Sequence, residues 1–214
     1  MLTDWNFWFS VITAIVAIIA LVQGHQQIKL SNKQYLFGSR VEYYLIAKGL
    51  IQLYENNVSL SIFQDNMPIK SLMAMEFIFA RMTNNTYLEK ITEVIAHPLE
   101  NPYKKDFLIK LESMKDVSVK IKFIFDGKIS SFLGNYVLYY QELLFKMYQY
   151  QITLNERKNV IQNPNQIPDK EKEWDVEKEQ RDELQKAIKN LKEAYKYLKE
   201  EDIEKKIEKQ IKLY

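Results

Sequence analysis

WNFWFSVITAIVAIIALV, residues 5 to 22, contains no charged side chain. As a helix, these eighteen residues rise roughly 27 Å at ~1.5 Å each, close to the ~30 Å thickness of bilayer hydrocarbon. Between Phe7 and Val22, ten residues are Phe, Val, Ile or Leu. On the insertion scale they favour transfer by about 3 to 6 kcal/mol. Ser10 and Thr13 oppose this weakly, because a helical hydroxyl can bond back to the preceding turn. A cleaved signal peptide fits poorly: the flank carries Asp4 in place of a basic region, and no small-x-small site follows Val22. Residues 1–24 are therefore expected to be a retained membrane anchor.

The flanks set the expected orientation. Upstream lies Asp4 without Lys or Arg; downstream lie Lys29, Lys33 and Arg40. The positive-inside rule then places the N-terminus outside and the body in the cytoplasm of a single-pass cell-membrane protein. Trp5 and Trp8 suit an outer aromatic belt, and Lys29 can snorkel at the inner face. The chain has no cysteine, which agrees with a reducing compartment.

Within the anchor, Ser10, Thr13, Ala17, Ala20 and Gly24 recur at steps of three and four and form one seam. Val11, Ile12, Ile15, Ile18, Ile19 and Val22 face the other way and suit lipid. Helices in lipid gain no hydrophobic attraction for each other, so small residues matter by letting backbones approach. The seam continues through Gln27, Ser31, Gln34 and Gly38. This pattern predicts self-association and suggests the lining of a narrow pore.

The remaining chain has few turn signals and mostly helical apolar spacing, which predicts an all-α fold. The first helix is expected to run to Asn56-Asn57, with Leu30, Phe37, Val41, Tyr44, Leu45 and Ile51 as its apolar side. A second begins near Pro68 and turns Leu72, Met75, Ile78, Phe79 and Met82 inward. A third follows Asn84-Asn85 and stops at His97-Pro98; a fourth runs from Asn101-Pro102 to Asp126-Gly127. Val117 to Phe125 alternates as a strand would, but no partner strand is evident, so helix is the reading. A fifth helix, about Lys128 to Arg157, is dense in aromatics and is expected at the centre.

NVIQNPNQIPDK, residues 159–170, has two prolines and no helical pattern, and reads as a linker. Beyond it, Leu184, Ile188, Leu191, Tyr195 and Leu198, then Ile203, Ile207 and Ile211, predict an amphipathic helical hairpin turning near Glu200. The expected organisation is an anchor at 1–24, a cytoplasmic helical domain at 25–158, a linker at 159–170 and the hairpin at 171–214.

Catalytic signatures are lacking. The two histidines, His25 and His97, lie far apart, and no thiolate is present. The five glycines are scattered, so neither a phosphate-binding loop nor a nucleophile elbow forms. No enzyme activity, metal or cofactor is expected. The basic run Lys104, Lys105, Lys110, Lys115, Lys120 and Lys122 is interleaved with Asp106, Glu112 and Asp116, a diffuse footprint for an anionic ligand.

The short span, the long juxtamembrane helix QIKLSNKQYLFGSRVEYYLIAKGL and the helical body together resemble single-span bacterial membrane effectors of anti-phage defence operons, Hailong-type channel effectors among them. The resemblance implies a homo-oligomeric membrane channel restrained by a nucleic-acid or nucleotide signal from a partner enzyme; it assigns no ligand-contact residue. The alternative expectation is a membrane-tethered adaptor that recruits a cytoplasmic protein through its C-terminal helices.

Overall fold

The computed structural model describes residues 2–60, 63, 72–162 and 170–212. Among these the chain is 88% helical and has no strand. The elements are α1 (Leu2–Asn57), α2 (Leu72–Met82), a 3-10 helix (Glu89–Ile95), α3 (Tyr103–Ile124), α4 (Lys128–Gln162), α5 (Lys170–Glu200) and α6 (Ile203–Lys212). The expected start of a helix at Pro68 lies outside the described residues.

α4 is the axis of the bundle, as its aromatic content predicts. Four buried tyrosines carry it, and each hydroxyl reaches a different neighbour. Tyr136 donates to the Leu50 carbonyl of α1 at 3.3 Å, Tyr140 to the Met82 carbonyl at the end of α2 at 2.7 Å, Tyr148 to the Pro98 carbonyl, and Tyr150 to Glu177 of α5 at 2.7 Å. A buried hydroxyl without a partner would cost about 1–3 kcal/mol, so these bonds fix which side of α4 meets which element.

α3 and α5 both run antiparallel to α4. Phe107 lies against Tyr148 at one end of the α3 contact, and Ser118 donates to the Gly134 carbonyl nearer the other. On the α5 side, Glu183 meets Lys146 and Tyr197 meets Phe132. The α3–α4 turn is made by Asp126-Gly127, with Gly127 at φ +74°, the left-handed region where glycine lacks a steric penalty. Asp202, at φ 51°, closes the turn between α5 and α6. Helix α3 remains helical through Val117–Ile124, and Phe125 is extended, so the alternating passage is helix.

Several expectations need correction. The segment after Asn84-Asn85 forms a seven-residue 3-10 helix. Its buried residues, Ile91, Val94 and Ile95, are tied down by turns on either side. Helix α4 continues past Asn159 to Gln162, into the segment read as linker. On α1, Leu30, Phe37 and Leu45 are solvent-exposed; Arg40, Tyr44, Ala47, Leu50, Ile51, Leu53, Tyr54 and Asn57 are the buried set. The bundle therefore grips α1 from Arg40 onward. The hairpin docks on its own chain: Leu184, Ala187, Leu191, Leu198, Ile203 and Ile207 are buried.

Candidate functional site

Helix α1 continues unbroken from Leu2 to Asn57, and its apolar window has mean hydropathy 2.2 with 0% of it buried in the molecule. Its length and composition suit a membrane span, and it is no part of this chain's core. Trp5 and Trp8 are 69% and 61% exposed, Trp5 lying 6.1 Å from Phe9. Lys29 is exposed further along the helix.

The seam residues all lie on α1. Ser10 Oγ donates to the Asn6 carbonyl at 2.9 Å and Thr13 Oγ1 to the Phe9 carbonyl at 2.8 Å. Both hydroxyl protons are thus satisfied within the helix, leaving the oxygens as acceptors. Ser10, Thr13, Ala17 and Ala20 are exposed, and Gly24 is half-buried. A Cβ added at Gly24 or Gly38 would meet nothing within 4 Å. Glycine costs about 1 kcal/mol against alanine inside a helix, and nothing among the described residues calls for it at either position.

The bundle leaves this seam open. Following the seven-residue repeat, the line through Gly24 and Ser31 passes Gly38 and Leu45; Leu45 is 60% exposed. The buried residues Arg40 and Ala47 each lie two positions further along, about 200° around the helix. The chain's own core therefore occupies the side of α1 opposite the seam.

A second arrangement joins α1 to the C-terminal hairpin. Arg40, 3% exposed, donates through Nε to the Ile124 carbonyl at 2.7 Å and through Nη1 to the Gln210 carbonyl at 3.3 Å. Its Nη2 approaches Asp126 at 3.6 Å, and Gln210 exchanges two hydrogen bonds with the Asp126 backbone. One turn along, Glu208 accepts from Tyr44 at 2.7 Å and from Lys48 at 3.0 Å. Those two hydrogen bonds hold the Glu208 carboxyl below its usual range, and the same bond raises Lys48. Burial, then the bond to Glu208, pushes Tyr44 up to about 12. Further along, Glu55 meets Lys199 at 2.7 Å and Tyr195 at 3.0 Å. Burial works to raise the Glu55 carboxyl, and the bonds from Lys199 and Tyr195 outweigh it.

Local sequence spacing does not foretell this polar ladder. Arg40 was legible as a flanking positive charge, but its partners lie 84 and 170 residues away. The faint signal was an arginine in line with Tyr44, Ala47 and Ile51.

The basic run on α3 does not gather into one site. Lys110 lies over the Tyr87 ring at 4.2 Å, Lys120 over Tyr43 at 5.5 Å, and Lys115 pairs with Glu112 at 3.6 Å. His97 stacks on Tyr103 and contacts Glu100 at 3.1 Å, while His25 sits exposed on α1. Among the described residues no group of His, Cys, Asp and Glu has the arrangement to hold a metal ion. No family model, curated protein or solved structure matches the chain.

Proposed function

We propose that this chain is an oligomeric single-pass membrane effector. In this reading α1 crosses the cell membrane with its N-terminus outside, and the helical bundle lies in the cytoplasm. The spans cluster through Ser10, Thr13, Ala17, Ala20 and Gly24, around an ion path that the bundle gates. The observation that carries the reading is the apolar window of α1, none of which the bundle buries, followed from Arg40 onward by a core that takes the side of the helix opposite the seam line. Gating follows from mechanical continuity, because one unbroken helix links the span to the Arg40, Tyr44 and Lys48 contacts with α6. A signal that binds one arrangement of the bundle better than another would shift α1 by that difference in affinity. In keeping with the resemblance, a nucleic-acid or nucleotide signal in anti-phage defence is the class proposed.

An adaptor role for the hairpin is less well supported. Most of its apolar residues already face the bundle, Val176 and Tyr197 being exposed exceptions, so a recruited protein would meet a largely charged outer side. The test is membrane potential in expressing cells, with and without phage challenge, for the wild type and for Ser10→Leu/Ala17→Leu. Depolarisation in the wild type that the double variant loses is the expected result. Wild-type cells that stay polarised under every challenge overturn the channel reading.

A further inference from the structure

We infer that residues 23–39 of α1, the stalk between span and bundle, pack against the stalks of further copies of this chain. The subunit interface then extends well outside the lipid. This inference rests on the reading of α1 as a span and adds a second, water-exposed zone of assembly to it.

The argument compares three lines of residues that run along one continuous helix. The outer line changes character where the span ends: Ile12, Ile15, Ile19 and Val22 give way to Gln26, Lys29 and Lys33, and an apolar residue returns only at the half-buried Leu36, one turn before Arg40. That is the change expected of a face that meets lipid and then water. The flanks of the seam do not follow it. On one side Leu21 is succeeded by Ile28 and Tyr35; on the other, Val16 and the polar Gln23 are succeeded by Leu30 and Phe37.

In this chain alone those stalk residues are bare, with Ile28 63%, Leu30 57%, Tyr35 79% and Phe37 43% exposed. A face whose character persists across the solvent boundary meets something that also persists, and protein satisfies that condition. Hydrocarbon does not, because Arg40 is eighteen residues, or roughly 27 Å, past Val22 and the stalk fills that gap. The chain's own bundle does not either, because it engages α1 from Arg40 onward and on the opposite side.

The occupant that fits is a second copy. It carries the same flanks at the same height, and parallel packing leaves Lys29 and Lys33 pointing outward, away from each other. Taking Gly24, Ser31 and Gly38 as the first position of each heptad, Leu30 of one copy falls beside Tyr35 of the next, and the small-residue seam turns toward the axis.

The absence of cysteine from the chain gives a clean background for the test. Full-length Leu30→Cys/Tyr35→Cys is oxidised in membranes beside Lys29→Cys/Lys33→Cys, and the subunit number of each is read by native mass spectrometry from nanodiscs. Disulfides form only where Cβ atoms come within about 4.5 Å. The expected result is a crosslinked ladder from the Leu30/Tyr35 pair, with little from Lys29/Lys33. Oligomers without the Leu30/Tyr35 ladder, or with an equal ladder from Lys29/Lys33, overturn the stalk interface and leave the membrane seam standing. Monomers overturn both. As an independent readout, Tyr35→Lys/Phe37→Lys is expected to lower the subunit number on dilution while the melting of the bundle is unchanged. An unchanged subunit number contradicts the inference.

Discussion

Glycines divide this protein at the level of single residues. A Cβ at Gly134 would lie 2.8 Å from the Ser118 carbonyl oxygen and from Lys122 Cγ, so Gly134 is what lets α3 approach α4. Gly134→Ala is expected to lower bundle stability: overpacking costs about 1–3 kcal/mol, set against about 1 kcal/mol of helix propensity gained. Thermal melts check it. Gly24→Ala/Gly38→Ala meets no such contact, so the bundle should melt at or slightly above the wild-type temperature while the assembly loosens. Arg40→Met is expected to cost about 1–3 kcal/mol, because it strands the Ile124 and Gln210 carbonyls and removes one of the ties between α6 and α1. Periodicity made Ser10, Thr13 and the other seam positions legible from sequence. It gave no hint of Arg40's role, because a hydrogen bond to a carbonyl 170 residues away leaves no local pattern.

Between elements, the association of hairpin and α1 combines buried apolar contacts with a ladder of charges, and the ladder responds to pH. Glu208 titrates lower in the folded protein than in the unfolded chain, so its contribution is present above the unfolded carboxylate range and fades as pH falls through its depressed value. Lys48 is raised, so its contribution is complete below the ordinary lysine range and is lost at higher pH still. Glu208→Gln is therefore expected to lower the melting temperature near neutrality and to match the wild type in strong acid. A constant difference across that range would contradict the ladder. The hairpin was foreseeable from its four-and-three spacing, and α4 from its tyrosines. The 3-10 helix at Glu89–Ile95 was not, since Ile91 and Ile95 are spaced as in an α-helix. The inward side of α1 was misassigned for a related reason: Leu30, Phe37 and Leu45 are apolar, and hydrophobicity alone cannot tell a residue that meets the core from one left at the surface.

For the molecule as a whole, the bundle and the seam lie on opposite sides of one long helix. The seam repeats every seven residues, whereas a straight α-helix drifts about 20° per heptad, so the proposed assembly would wind its copies into a left-handed supercoil. Deleting the chain from Lys170 onward is expected to unfold the bundle, because Leu184, Ala187 and Leu191 are part of its core; circular dichroism of the truncated protein checks this. The most direct test of the central claim is the subunit number of the full-length protein in lipid nanodiscs, measured beside Ser10→Leu/Ala17→Leu. The account predicts a closed oligomer for the wild type that falls apart in the double variant. A wild-type monomer, or an oligomer that the two leucines leave unchanged, would contradict it.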